Sequence, residues 1–187
     1  MTNFITGSLV ALMLFAASVR IFADDIIVAE NFDKDDGKYG TWNRFPDDAA
    51  HLCTLSFISP GCDGKGRCIK LSYSIDCPNG AYNGFYLKLF RGAGIDLRGY
   101  SKLVFWIKGD KEAGYTHRIK VELKNTDESS KMYVEGLKDD WNMLELKLRN
   151  FSTIRNWSKI TEFVVTFNGH CTDQSGAIYL DNISFSK

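Results

Sequence analysis

The sequence predicts an all-β fold, a two-sheet antiparallel β-sandwich of the jelly-roll type. Apolar and polar side chains alternate along many short segments, as they do in strands that have one buried and one exposed face. Loops rich in glycine, proline and aspartate separate these segments at steady intervals, and no long stretch has the spacing of an amphipathic helix. The 44% hydrophobic content of the 187 residues suits one domain with a sizeable core.

The segment 102–108 shows the alternation most usefully, because its two faces differ in kind. Leu103, Phe105 and Ile107 form an apolar face that suits a core. The opposite face carries Trp106 and Lys108, a composition suited to a polar, ring-shaped ligand.

Similar alternation places the other strands along the chain. In order, they are expected at 26–32, 41–45, 52–58, 68–75, 84–90, 117–124, 132–135, 141–148, 160–167 and 177–185. Residues 151–159 have the only weak helical spacing. The side chains expected to face the interior are Leu103, Phe105, Ile107, Ile119, Val121, Leu123, Leu144, Leu146, Val165 and Ile178.

The first 23 residues are typical of a signal peptide. Residues 4–19 are uncharged and mostly apolar, and Ala23 offers a small residue before two aspartates, although no Lys or Arg precedes the apolar run. We therefore expect export, to the periplasm or the exterior, of a single mature domain over residues 24–187. An uncleaved membrane anchor and an organellar presequence are the alternatives.

Five cysteines in an exported chain predict disulfides with one thiol left over. The local pair Cys53–Cys62 is the easiest closure, and Cys77–Cys171 is a second hypothesis. A bond between Cys68 and Cys77 is excluded, because one predicted strand of roughly 30 Å would separate them. Free thiols in a reducing compartment are the alternative, and a zinc cluster is disfavoured because the sequence has no CxxC.

The balance of charge and the absence of catalytic motifs argue against several classes of function. Lys plus Arg and Asp plus Glu both number 23, and this balance argues against a dominant role on nucleic acid or anionic membranes. The acids in the strands are isolated, the three histidines lie in separate segments, and GxSxG, HExxH and P-loop motifs are absent. We therefore expect no catalysis.

A series of motifs nonetheless resembles a known family. The series comprises ENFD, GKGRCIKLSYSID, GFYLKLF, DLRGYSKLVFWIKG, IKVELKN, DDWNMLELKL, ITEFVVTF and GAIYLDNISF. In this order it resembles the galactose-binding-like jelly rolls of non-catalytic carbohydrate-binding modules, above all family 11 modules. It also resembles the domain of complex I intermediate-associated protein 30. The likeness spans nearly all of residues 26–186.

The resemblance implies a structural calcium ion between the first and last strands, held by carboxylates and backbone carbonyls. Asp33 and Asp181 match the family's acidic positions, carbonyl oxygens near Lys65 and Gly66 would add to the shell, and Glu30 is a further candidate. The family often has glutamate where this chain has the shorter Asp33. Solvated carboxylates without metal are the alternative.

The resemblance also implies recognition of a polysaccharide or glycoconjugate on one open, concave sheet. Aromatic rings stack on sugar faces, and charged or amide groups bond the hydroxyls. The candidate ligand-binding residues are Trp106, Tyr86, Lys108, Lys120, Glu122 and Asn168. The structural alternative for Trp106 is packing beneath a loop. The structural alternative for Lys120 and Glu122 is a cross-strand ion pair on a solvated face. For the whole chain, a protein-interaction or assembly role and an envelope protein without sugar affinity are the alternative functions.

Overall fold

The structure is a computed structural model that describes residues 26–44, 52–76, 82–169 and 173–187. It is an all-β sandwich, as predicted. In chain order the strands are β1 (Ile26–Glu30), β2 (Tyr39–Arg44), β3 (Cys53–Ile58), β4 (Cys68–Ser74), β5 (Tyr82–Lys88), β6 (Lys102–Gly109), β7 (Arg118–Lys124), β8 (Ser129–Glu135), β9 (Asn142–Lys147), β10 (Glu162–Asn168) and β11 (Ser175–Ser186). Short 3₁₀ turns cover Leu89–Gly92 and Leu148–Asn150.

The strands form two antiparallel sheets. Sheet A has the order β3-β4-β11-β6-β9, and β1 also pairs with β11, so the first and last strands meet. Sheet B has the order β2-β5-β10-β7-β8. Because several neighbours in each sheet are distant in sequence, strand order could not be obtained from the alternation alone.

The core lies between the sheets, and its register is the predicted one. Nine of the ten predicted interior residues are buried, and Leu144 is partly buried against the same cluster. On β7, Ile119 and Val121 are fully buried while Lys120 and Glu122 face outward. A slip by one residue would reverse these faces, so hydrophobic burial fixes the register.

The weak helical spacing at 151–159 is not a helix. Phe151, Ile154 and Ile160 are buried at intervals of three to six residues along an irregular segment that ends in a β-bridge between Ile160 and Ile95. Apolar anchors under a loop therefore produced the helix-like spacing.

The predicted Cys53–Cys62 disulfide is wrong, because both thiols are free. Cys53 begins β3 and Cys62 lies beyond its end, so the extended strand holds them roughly 15 Å or more apart, whereas a disulfide needs Cα atoms within about 7 Å. Cys68 is also free. Cys77 and Cys171 lie outside the described residues, so their pairing stays a prediction.

The predicted signal peptide likewise lies outside the described residues. Over the ranges that the structure does describe, no helix has the length and apolar character needed to cross a membrane.

A part-buried ion pair stabilises the outward face of sheet A. Lys70 Nζ and the Tyr179 hydroxyl both donate to Asp110 Oδ2. The hydrogen bond from Lys70 lowers the pKa of Asp110 to about 2, against the smaller opposing effect of burial.

Candidate functional site

A groove of about 480 Å³ crosses the outward face of sheet B. Side chains of β2, β5, β7 and β10 line it, so four adjacent strands form one continuous surface. Three of these side chains are aromatic, namely Trp42, Tyr82 and Tyr86. Six are charged, namely Arg44, Lys88, Lys120, Glu122, Lys124 and Glu162.

The strand register places an aromatic ring beside a glycine twice. Trp42 of β2 lies opposite Gly84 of β5, and Tyr86 of β5 lies opposite Gly40 of β2. A β-carbon on Gly40 would lie 2.8 Å from the Tyr86 hydroxyl oxygen, and one on Gly84 would lie 3.1 Å from the Trp42 indole nitrogen. Each ring therefore reaches over the partner strand's glycine, where any other residue would hold it away from the sheet.

The rings have different degrees of support. Tyr82 meets Trp42 edge to face, with ring centroids 5.7 Å apart, and Lys88 Nζ lies 5.8 Å from the centroid of Tyr86. Trp42 and Tyr86 are both half-buried, so each presents part of its ring to solvent. Between them and β7 the floor is closed by the buried Val164.

Polar groups on β7 and β10 border the aromatic half of the groove. Lys120 Nζ is 2.7 Å from Glu122 Oε1, and the Thr166 hydroxyl donates to the same oxygen at 3.1 Å. The lysine and glutamate are two residues apart on one strand face, so the ion pair is along β7 rather than across strands. Further along, Lys124 Nζ is 3.8 Å from Glu162 Oε2.

This arrangement favours hydrogen bonding over proton transfer. Both groove carboxylates are paired with lysines, whereas glycoside hydrolysis needs a protonated carboxylic acid across the bond from a carboxylate. The paired groups instead offer donors and acceptors at fixed positions beside two rings, which suits a polyhydroxylated ligand.

The six predicted ligand-binding residues do not share one face. Tyr86, Lys120, Glu122 and Asn168 face outward on sheet B, where Asn168 lies opposite Tyr82. Trp106 and Lys108 lie on β6 of sheet A instead. Alternation separates inward from outward residues but does not say which sheet a strand joins, so the sequence could not show that these residues lie on two sheets.

Trp106 and Lys108 have other neighbours on sheet A. Trp106 is half-buried between Asp181 of β11 and Met143 of β9, and Lys108 Nζ lies 5.6 Å from the centroid of the Tyr179 ring. Sequence reasoning missed Trp42 and Tyr82. The available signal was Gly-x-Trp in β2 and Tyr-x-Gly in β5, which put a glycine and an aromatic ring on the same face of each strand.

The loop between β3 and β4 brings oxygen atoms to the predicted calcium position. A β-carbon on Gly61 would lie 2.6 Å from Asp181 Oδ2, 2.7 Å from the Lys65 carbonyl oxygen and 3.1 Å from the Arg67 carbonyl oxygen. A side chain at residue 61 would fill this space. Asp33 adjoins it, because its Oδ1 accepts the Arg67 N–H and would overlap a β-carbon on Gly66.

Asp181 is a buried carboxylate that lies near a second negative charge, that of Asp33. Its carboxylate is buried, accepting N–H bonds from Cys62 at 2.8 Å and Asn182 at 2.7 Å. Burial raises the pKa of Asp181 most; the N–H bonds oppose this and the charge of Asp33 adds to it. Two neighbouring carboxylates with carbonyl oxygens fit the oxygen-only preference of calcium.

Glu30 does not join this group. Its Oε1 accepts the Phe32 N–H at 2.6 Å, and its Oε2 lies 2.8 Å from Lys38 Nζ. Among the described residues, no cluster of three or more His, Cys, Asp or Glu side chains forms a metal site. The residues that fit calcium are thus Asp33, Asp181 and the carbonyls of Lys65 and Arg67.

Comparison with solved structures shows that this chain shares a jelly-roll fold with several carbohydrate-binding modules. The family 11 carbohydrate-binding module from Clostridium thermocellum, in complex with a β-1,3-1,4-mixed-linked tetrasaccharide, is similar at a TM-score of 0.66 and 15% identity, covering 88% of this chain and 97% of that one. The family 30 module of a cellulosomal cellulase from Clostridium thermocellum is similar at 0.63 and 16% identity, covering 86% and 98%. The CBM27-1 module from Caldicellulosiruptor saccharolyticus, in complex with mannohexaose, gives 0.56 and 14% identity over 88% and 98%.

These likenesses concern the fold. An exo-β-agarase is also similar at a TM-score of 0.61, but the match covers only 24% of that enzyme's chain. No model of a protein family matches the sequence, and no curated protein matches it. The resemblance to carbohydrate-binding modules is therefore confirmed as a structural one, and the resemblance to the complex I assembly domain stays a prediction.

Proposed function

We propose that this protein binds a saccharide chain non-catalytically in the groove of sheet B. The observation that carries the proposal is the pair of rings, Trp42 and Tyr86, each reaching over a glycine of the neighbouring strand. Such rings offer apolar surface on which the C–H face of a sugar can stack. The likeness to saccharide-binding jelly rolls supports the same reading.

The charged residues then fix the sugar's orientation. Lys120, Glu122 and Lys88 stand beside the rings and supply donors and acceptors for hydroxyl groups. Because Lys120 and Glu122 are already paired, they are held in place before the ligand arrives, and little side-chain entropy is lost on binding.

Two further proposals accompany the function. The chain is exported to the periplasm or the exterior, where polysaccharides are accessible. A structural calcium ion is held beside the loop between β3 and β4 by Asp33, which follows β1, and by Asp181 of β11. The alternative of a protein-interaction or assembly role predicts that a broad saccharide screen finds no ligand.

The test is calorimetric titration with neutral oligosaccharides: a mixed-linked β-glucan tetrasaccharide, mannohexaose and a xylo-oligosaccharide. A sugar covering half of an indole removes ~100 Å² of ring surface from water, worth about 2.5 kcal/mol at ~25 cal/mol per Å². We therefore expect Trp42→Ala to weaken binding at least tenfold, with the melting temperature nearly unchanged because the ring lies outside the core.

Trp106→Ala is the matched control, since it removes the same ring type from the opposite sheet. We expect it to keep saccharide affinity. If Trp106→Ala abolishes binding while Trp42→Ala leaves it intact, the ligand occupies sheet A. The absence of binding to every saccharide would refute the proposal.

A further inference from the structure

A second groove lies at one end of the sandwich and shares no lining residue with the groove of sheet B. Two adjoining hollows of about 350 and 340 Å³ meet at Tyr100, Leu148 and Arg149. We call this surface the end groove. It is defined by Tyr100, Lys102, Lys147, Arg149, Arg155 and Trp157.

Backbone hydrogen bonds hold the walls of the end groove in place. The Leu97 N–H donates to the Trp157 carbonyl at 2.9 Å, and the Leu148 N–H donates to the Ser101 carbonyl at 2.8 Å. The floor is apolar, because Leu97 and Leu148 are almost completely buried. The groove is thus formed before any ligand arrives, which lowers the entropic cost of binding.

The end groove has an excess of positive charge that the protein does not neutralise. Lys102 and Lys147 lie directly opposite each other on β6 and β9, which is an unfavourable like-charge pair. Of these two lysines, only Lys102 has a carboxylate partner among the residues that the structure describes, namely Glu145 at 2.7 Å. Within the described part of the chain, the Arg149 guanidinium has no hydrogen bond or ion pair.

Arg155 adds to this excess. The neighbouring carboxylate of Glu128 accepts the backbone N–H groups of Arg155 and Asn156, each at 3.0 Å. Arg98, by contrast, is committed to Asp96 by several hydrogen bonds. Around the end groove there are three carboxylates, of Asp96, Glu128 and Glu145, and five cations, which are Arg98, Lys102, Lys147, Arg149 and Arg155. The local surplus is therefore two positive charges, in a chain of zero net charge.

We propose that the end groove binds an acidic saccharide, a sugar ring that carries a carboxylate or sulfate group. Guanidinium groups recognise both anions through paired hydrogen bonds, and a bound anion would relieve the repulsion around Lys102, Lys147 and Arg149. The half-buried rings of Tyr100 and Trp157 give the apolar contact that a sugar, but not a bare anion, would use. This site does not depend on the function proposed for sheet B.

The test measures binding of hexagalacturonate and of a heparin-derived hexasaccharide to the whole mature chain at 50 and 200 mM salt. We expect affinity for at least one of the two to fall with salt. The double variant R149A/R155A should lower that affinity about tenfold for each guanidinium removed, as charged hydrogen bonds do. Binding of a neutral glucan in the sheet B groove should be unchanged.

Three further variants make the result specific. K111A/K138A removes two exposed lysines elsewhere on the surface and should keep full affinity for the acidic saccharide, as should W42A. R149K/R155K preserves the positive charge but lacks the planar guanidinium group, so it should lose part of that affinity. Thermal unfolding of each variant checks that the fold is retained.

Three outcomes would overturn the proposal. The first is acidic saccharide binding that R149A/R155A and R149K/R155K both leave unchanged. The second is inorganic sulfate that competes as well as the hexasaccharide, which would show a simple anion site. The third is an oligonucleotide that binds through the same arginines while neither acidic saccharide binds.

Discussion

Removing divalent cations is expected to lower the stability of the folded protein, because the neighbouring carboxylates of Asp33 and Asp181 would lose the ion that binds both of them. Asp181 is buried, its pKa raised mainly by that burial, and Asp33 adds a neighbouring negative charge. Calcium would bind these oxygens only in the folded chain, since β11 and the loop after β3 are far apart in sequence.

The size of the effect follows from ligand linkage. A calcium concentration a hundredfold above Kd stabilises the folded state by about 2.7 kcal/mol. For a protein of 150–250 residues, each kcal/mol moves the melting temperature by roughly 2–4 °C. Chelation of the saturated protein should therefore lower the melting temperature by about 5–11 °C, and adding calcium back should restore it.

The assay is thermal unfolding with chelator, with calcium and with magnesium. Asp181→Asn should give one melting temperature in all three conditions, because the side chain loses the charge that binds the ion. Asp140→Asn, which changes an exposed carboxylate distant from this loop in sequence, should respond like the parent protein. A parent melting temperature unmoved by chelator, together with an unaltered Asp181→Asn variant, would refute the calcium site.

Three other predictions follow from the structure. Asp110→Asn should lower the free energy of unfolding, measured in urea at pH 7, by about 2 kcal/mol, because the pKa of Asp110 is about 2 in the folded chain and near 4 in the unfolded chain. The difference in unfolding free energy between the variant and the parent should vanish as the pH falls from about 4 to 2. Gly84→Ala should destabilise the chain by about 1–3 kcal/mol and weaken saccharide binding, because the β-carbon would overlap a backbone carbonyl. The control Gly99→Ala should change neither stability nor binding, because a β-carbon there meets no atom within 4 Å. Mass mapping of the non-reduced exported chain should find Cys77 bonded to Cys171; a bond from either to Cys68 would contradict it.

The fold was predictable from sequence because one physical pattern repeats along it. Where alternate residues are apolar over six or more positions, as in β6 and β7, burial of one face leaves a single register. The pattern failed at 151–159, where three buried anchors under an irregular segment resemble one face of a helix. Periodicity cannot distinguish these cases, since only long-range contacts such as the bridge to Ile95 decide between them.

The site was less predictable, because it depends on which strands become neighbours. Tyr86, Lys120 and Glu122 were identified as outward residues, and β10 brings their two strands to one face. Trp106 has the same local pattern, yet β6 joins the other sheet. The distance between Cys53 and Cys62 was misjudged for a related reason, since nine residues of separation suggest proximity only if the intervening chain is not extended.

A two-residue rule connects the sequence of the groove to its geometry. Gly40 precedes Trp42 by two residues, and Gly84 precedes Tyr86 by two, so in each strand the glycine and the ring share a face. Antiparallel pairing then sets Trp42 against Gly84 and Gly40 against Tyr86, so each ring meets the gap left by the other strand's glycine. A shift of β2 by two residues relative to β5 would keep every apolar side chain in the core. It would, however, place one aromatic ring against the other and leave both glycines without a ring over them. The core therefore fixes which face is buried, while the two glycines make only one of the permitted registers suitable for aromatic rings lying along the sheet.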